Sequence, residues 1–292
     1  MHPLVRCAGL AGLTLLAACS RADAPRSDQA DAPATPAPAS SPAVPNVVTV
    51  TAREYAFEVP QQIPAGVTTF RFMAQGKEPH HGIMVRLEDG KTFQDLAEAI
   101  KEPGPPPSWL HLDGGMMIGD PVAGSTITMT LTPGKYALIC FIPSPDGVPH
   151  VAKGMMAPLE VMPTTGTPVA EPEADVVVRL ADYDFQFSKP LTAGEHVIRV
   201  ETAPGQPHEL VLIHLGDGVT AQQVVATEMG THKGPRPSYT YAGGVAPMEA
   251  GRHAYMHVNL KAGNYALICF MPDAKDGKPH LAHGMMKQFA VR

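Results

Sequence analysis

The chain has 292 residues, a net charge of −6 and only 17% charged residues. That length suffices for two domains of ordinary size. Sparse charge and an acidic balance give no sign of a nucleic-acid-binding surface, which needs clustered Lys and Arg.

The N-terminus, MHPLVRCAGLAGLTLLAACS, reads as a targeting segment. Arg6 forms a short basic region, and Cys7–Ala18 is an apolar run too short to span a bilayer. It ends in Leu16-Ala17-Ala18-Cys19, which resembles the lipobox of bacterial lipoproteins. The resemblance implies removal of residues 1–18 and a lipid on Cys19. Ser20 in place of Asp then implies an outer membrane address, with the chain facing the periplasm. An ordinary secretory signal is the alternative. Residues 19–45 are rich in Ala, Pro, Ser and Asp, without apolar periodicity, and read as a disordered tether.

Ordered sequence begins with Asn46–Ala52, whose alternation and β-branched residues predict a strand. Glu54–Pro60 is extended, and strands follow at Val67–Ala74 and Glu78–Leu87. Thr92–Lys101 has helical spacing, with Phe93, Leu96, Ala97 and Ile100 on one face. Gly104–Pro107 breaks it, and Trp109 begins a loop rich in Gly and Met. Thr126–Leu131 and Lys135–Cys140 are strands, and Leu159–Met162 closes the domain.

After a Pro/Thr-rich linker, 163–174, the order repeats. Val176–Leu180 matches the first strand, Asp182–Phe185 (DYDF) matches EYAF, Thr220–Met229 the helix, and Tyr239 Trp109. The offsets are steady: 128 from His80 to His208, 129 from Cys140 to Cys269, 130 from Met155 to Met285. The chain is thus a tandem duplication, 46–162 and 175–292, each module expected to own a core. Many short strands, frequent turns and little helix predict an all-β protein of two tandem Greek-key β-sandwiches, each with a short helical insertion.

Each repeat carries Cys, His and Met in order at the end of a strand: Cys140, His150 and Met155, then Cys269, His280 and Met285. A second imidazole lies upstream, His80 or His208. Thiolate, imidazole and thioether are the soft donor set that selects copper; zinc would prefer no thioether. Of the four Cys, only Cys140 and Cys269 would remain as free thiols in the exported protein, and metal ligation protects such thiols. His81 competes with His80, but Glu209 follows His208, so the shared position is the first His. His283 corresponds to Lys153 and reads as surface. Met156 and Met286 read as packing, and Met116, Met117 and Met248 as apolar filler in loops. Trp109 and Tyr239 are expected over the helix.

The pattern Pro-His on a strand, then Gly-x-Tyr-x-x-x-Cys, then Pro-His-x-x-x-Gly-Met resembles the cupredoxin family. It stands here as Pro79-His80, Gly134…Tyr136…Cys140 and Pro149-His150…Gly154-Met155, and as Pro207-His208, Gly263…Tyr265…Cys269 and Pro279-His280…Gly284-Met285. The resemblance implies up to two type 1 copper sites, each a His₂Cys plane with a long axial Met, and an electron carrier that serves a redox partner protein. Nine residues separate Cys140 from His150 and ten separate Cys269 from His280. Such long loops are nearer to the first domain of copper nitrite reductases. Those enzymes bridge to a catalytic copper through a His beside the loop Cys. Ile139, Phe141, Ile268 and Phe270 stand there instead, so the chain is expected not to be an enzyme. A copper-buffering lipoprotein and an oligomeric copper enzyme remain as alternatives.

Overall fold

The structure, a computed structural model, describes residues 44–101, 106–118, 124–165 and 167–292. The signal, Cys19 and nearly all of the tether lie outside the described residues. Both repeats fall in one unit, 42–292.

The first repeat runs β1 (Asn46–Arg53), β2 (Ala56–Glu58), β3 (Gln62–Pro64), β4 (Gly66–Ala74), β5 (Gly82–Leu87), α1 (Phe93–Ala99), β6 (Leu110–Met116), β7 (Ser125–Leu131), β8 (Gly134–Ile139) and β9 (Met156–Met162). The second runs β10 (Val176–Ala181), β11 (Asp184–Phe187), β12 (Gly194–Thr202), β13 (His208–Leu215), α2 (Ala221–Glu228), β14 (Tyr239–Met248), β15 (His253–Leu260), β16 (Gly263–Ile268) and β17 (Met286–Val291). The architecture is the expected all-β one. Both helices begin at a threonine whose hydroxyl accepts from the backbone N–H three residues on: Thr92 from Asp95 and Thr220 from Gln223. Asp95 and Gln223 return the bond to the capping backbone, which closes the box and sets the start.

The alternation in β8 explains how the sandwich is built. Tyr136, Leu138 and Cys140 face the core between the sheets, while Ala137 and Ile139 face a second apolar layer that includes Leu96 of α1. In β16, Tyr265, Leu267 and Cys269 face inward, and Ala266 and Ile268 lie with Val224 of α2. Strands buried on both faces read as continuous apolar runs, and period-two geometry then aims each Cys at the interior. Trp109 and Tyr239 pack against these same helix-covering clusters, as expected.

The two sheets do not stop at the boundary between repeats. One runs β11-β10-β12-β15-β7-β4-β1-β2 and the other β17-β16-β13-β14-β6-β5-β8-β9-β3. The joins pair equivalent strands, β15 with β7 and β14 with β6, both antiparallel. Met256 lies opposite Ile127, and Val245 opposite Met116. Each of these partners is 129 residues from the other. Equivalent residues facing each other define a pseudo-two-fold axis through both sheets. One apolar core accordingly contains residues of both repeats, such as Phe70, Met116, Val245 and Met256. The two expected modules are thus in apolar contact across the join.

The structure corrects the Gly- and Met-rich loop after Trp109, which is β6, with Met116 and Met248 wholly buried on joined strands. Gly115 and Gly244 have φ of 118° and 147°. A Cβ there would sit 2.2 Å from the Gly82 carbonyl oxygen and 2.1 Å from that of Leu210. Only glycine allows that approach with that backbone.

Polar groups complete the join. The Arg252 guanidinium pairs with the buried Asp113 carboxylate. Glu249 accepts from the Leu112 N–H at 3.3 Å and lies 3.2 Å from His111 Nδ1. The linker expected at 163–174 is tied there too. Glu171 accepts from Thr130 Oγ1, from Tyr255 at 3.0 Å and from His253 Nε2 at 3.0 Å.

Candidate metal centres

In each repeat the chain leaves the inner sheet at a Cys and returns on a short 3₁₀ turn that starts with a His. The first turn, His150–Lys153, follows Pro149 and ends at Gly154, whose φ of 98° is left-handed. The second, His280–His283, follows Pro279 and ends at Gly284 with φ 99°. The Val151 N–H reaches the Cys140 carbonyl at 2.7 Å, and the Leu281 N–H that of Cys269 at 3.0 Å. Met155 accepts from the Cys140 N–H and donates to the His150 carbonyl; Met285 does the same with Cys269 and His280. These bonds lock Cys, His and Met of each loop to one another. The extra residue of the second loop is taken up at its tip, where Asp273–Lys278 replaces Ser144–Val148 between matching proline bridges. The ligand ends of the loops are therefore alike.

The upstream imidazoles arrive from the neighbouring strand. His80 precedes β5 rather than standing in it, whereas His208 is the first residue of β13. The structure brings His80, Cys140 and His150 together, and likewise His208, Cys269 and His280, with donor atoms within 4.8 Å of one another. The nitrogens that converge are the Nδ1 atoms, 3.2 Å apart between His80 and His150 and 3.0 Å between His208 and His280. Each Cys Sγ lies 3.5 Å from Nδ1 of its loop His. All six residues and both methionines are buried, and the two cysteines form no disulfide. His81 does not join the first cluster. Its Nε2 accepts from the Phe141 N–H at 2.9 Å, the place that Glu209 Oε1 takes toward the Phe270 N–H at 2.8 Å. His283 stands outside the second cluster, beside Asp273 and Asp276. Among the described residues, then, the sequence-derived His and Cys set is assembled twice.

Electrostatics in both clusters favour uncharged donors until a cation enters. Burial pushes the Cys140 thiol up to about 11, and burial with the nearby Glu209 pushes Cys269 higher still. Burial, and then the facing His150, lowers His80; burial lowers His208 and His280 as well. Burial holds His81 at about 3 and raises Glu209 to about 7.

Two carboxylates settle which ring nitrogen is free. His150 Nε2 lies 2.8 Å from Glu78 Oε2, and His208 Nε2 lies 2.8 Å from Asp182 Oδ1. A carboxylate there accepts the Nε2–H and leaves Nδ1 as a lone pair facing the cluster, toward the sulfur in the case of His150 and toward His280 in the case of His208. Neither Glu78 nor Asp182 stood out in the sequence, although they open the segments Glu78–Leu87 and Asp182–Phe185. His80 Nε2 and His280 Nε2 are buried without a hydrogen-bond partner. A buried cluster of two imidazoles and one thiol fits copper: the donors are soft, and nothing but a bound cation would neutralise a thiolate there.

Fold and site together define an all-β protein of two tandem sandwiches, each with a buried cluster of two His and one Cys. No protein-family model matches the chain, and no curated protein matches it. Among solved structures it is similar to the reduced auracyanin of Roseiflexus castenholzii, at 21% identity over 41% of this chain and 100% of that one, with a TM-score of 0.29. It is also similar to the copper-containing nitrite reductase of Thermus scotoductus, at 10% identity over 85% and 62% of the two chains, with a TM-score of 0.23. The blue copper oxidase of Nitrosomonas europaea matches at 14% identity over 85% and 86%, with a TM-score of 0.23. The last two are enzymes. The expectation that the chain is not an enzyme is corrected accordingly; the missing His beside Cys140 and Cys269 does not exclude one. Among the described residues no helix is long and apolar enough to cross a membrane.

Proposed function

We propose that the chain binds one copper ion in each repeat and passes single electrons to and from a redox partner protein. The observation that carries this reading is the buried His₂Cys cluster, built twice with the same atoms converging. His80, Cys140 and His150 would hold the first ion and His208, Cys269 and His280 the second, with Met155 and Met285 as axial donors. Copper bound to such a set supplies a one-electron Cu(II)/Cu(I) couple. The chain's own contribution is to hold the donors before metal arrives, to keep water off the sulfur, and to limit rearrangement when the charge changes. Cys19 carries the lipid in this reading. The tether then stands the folded part off the outer membrane on its periplasmic side.

A type 1 centre absorbs intensely in the visible, from charge transfer between thiolate and Cu(II). The loaded protein should be coloured and hold two copper ions. Cys140→Ser and Cys269→Ser should each remove one ion and about half the colour, and His80→Ala should abolish the first site. A colourless chain that still holds two copper ions would favour a copper buffer instead. Colour that survives the double Cys substitution would refute the ligand assignment.

A further inference from the structure

Each loop imidazole is covered on its outer side by a tyrosine from the EYAF or DYDF segment. The ring centroids of Tyr55 and His150 are 5.3 Å apart at 68°, and those of Tyr183 and His280 are 5.4 Å apart at 72°. Tyr55 holds this place with a φ of 64°, an uncommon backbone for a bulky non-glycine residue. The outer face of each tyrosine is backed in turn. Lys153 Nζ sits 4.8 Å over the Tyr55 ring, and the His283 ring lies 5.0 Å from that of Tyr183.

Each tyrosine hydroxyl is bound to a carboxylate that also faces the loop His, but the two carboxylates come from different positions. In the first repeat Tyr55 donates to Glu78 at 3.1 Å, and Glu78 takes the His150 Nε2–H; Ser144 of the loop donates to the Tyr55 hydroxyl at 3.1 Å. In the second repeat Gln206 stands where Glu78 does, and Asp273 stands where Ser144 does. Tyr183 donates to Asp273, and Gln206 Nε2 donates to Asp273 at 2.9 Å and to the Tyr183 hydroxyl at 3.3 Å. Asp273 Oδ2 lies 3.9 Å from His280 Nε2, too far for a hydrogen bond. Glu with Ser has become Gln with Asp. The carboxylate has moved from the strand side of the tyrosine to the loop side, with an amide left in its old place, while one negative charge stays between tyrosine and imidazole.

We propose that this tyrosine–carboxylate clamp, Tyr55 with Glu78 and Tyr183 with Asp273, positions the loop imidazole of each copper site. Its chemistry, not the sequence position of the acid, is what the two repeats share. The clamp shields the imidazole edge from solvent and holds the ring at a set angle. In the first repeat it also fixes the tautomer by a direct bond. In the second it acts on His280 through charge and packing, while Asp182 fixes His208 instead. Substitution therefore weighs more on the first site. The inference rests on the copper reading for its effect on the metal, but its first arm needs no metal.

That arm is the ¹⁵N spectrum of the His150 ring in the apo chain. The proton should sit on Nε2 in the wild type and be shared between the nitrogens in Glu78→Gln. A wild-type ring protonated on Nδ1 overturns the clamp. The second arm uses a Cys269→Ser background, so that the first site alone reports. Glu78→Gln should lower its copper affinity by about 10- to 100-fold and shift its visible band, with far-ultraviolet circular dichroism unchanged. Tyr55→Phe keeps the ring and loses the hydroxyl, so it should cost about fivefold. The double exchange Glu78→Gln/Ser144→Asp rebuilds the second repeat's arrangement and should recover most of the loss. Wild-type affinity and band position in Glu78→Gln, or an exchange variant no better than Glu78→Gln alone, overturns the proposal. A wild-type chain that takes no copper but shows the Nε2 proton overturns the copper reading and leaves the clamp supported.

Discussion

Cys140 carries opposite demands in the apo and metal-bound chain. With no cation beside it, the buried thiol resists ionisation, and its pKa rises from 9.0 to about 11. A raised thiol pKa means that the folded state keeps its proton where the unfolded state has lost it. The stability this contributes is fully present below about pH 9 and is lost as pH climbs toward about 11. Two pKa steps correspond to roughly 2–3 kcal/mol. Apo wild type should therefore lose more stability between about pH 8 and pH 10.5 than apo Cys140→Ala, measured by urea midpoints; equal losses would show that the thiol is not shielded. His81 tests residue assignment from the other side. Its ring serves the Phe141 N–H, so His81→Leu should cost about 1–2 kcal/mol for the stranded donor and leave two copper ions per chain. Loss of an ion would make His81 a ligand. His80 and His81 were separable in the sequence because the other repeat supplies only one histidine at that point. The partners of the ring nitrogens were not legible, because Glu78 and Asp182 act across 72 and 26 residues of chain.

Elements with a clean local pattern were legible, β7 among them although it pairs across the repeat boundary, and those whose pattern is interrupted were not. The Cys-to-Met loops are built from local bonds among proline, glycine and the 3₁₀ turn, so spacing alone revealed them. The first helix announced itself by an apolar face, and the second by its match to the first. Strands β6 and β14 hid behind Gly114-Gly115 and Gly243-Gly244, which interrupt the alternation that marks a strand. Each pairs with its preceding strand, β5 or β13, and on its other edge with the other strand of the two, and no periodicity encodes that second pairing. Strand β3, three residues paired with β9, is too short to carry a pattern. The glycine pairs are a structural requirement of the join. Gly244→Ala would drive Cβ into the Leu210 carbonyl and against Met117 while demanding a φ that alanine resists. A loss of about 2–4 kcal/mol is expected, read as a lower denaturation midpoint. Gly251→Ala, with no atom within 4 Å of the added Cβ, serves as the positive-φ control and should cost only about 1 kcal/mol. Equal losses would mean that strain, and not the close approach, decides.

At the scale of the whole chain, the duplication has become a single two-sheet body whose halves meet as a pseudo-symmetric pair. Strands β6 and β7 of the first repeat end on β14 and β15 of the second, so a separated half would expose two open strand edges and a cut through the shared core. Open edges of that length seek a partner. A partner of the right shape exists, because the surfaces that join the repeats are equivalent to each other: Ile127 meets Met256, and Met116 meets Val245. A surface that pairs with its own equivalent is the condition for an isologous dimer. A fragment of residues 46–162 should therefore assemble as a two-fold homodimer that rebuilds both joins, each copy carrying its own His80, Cys140 and His150 cluster. Sedimentation should give twice the fragment mass, and copper titration one ion per fragment. The first-repeat half of the Arg252–Asp113 pair has no arginine to meet in such a dimer, so Asp113→Asn should tighten it by removing a buried unpaired charge. In the intact chain the same change strands Arg252, at 35% exposure, and should cost about 1–3 kcal/mol. A fragment that stays monomeric with full strand content would show that the repeats are independent sandwiches that merely touch, and the opposite signs expected for Asp113→Asn would then collapse to one.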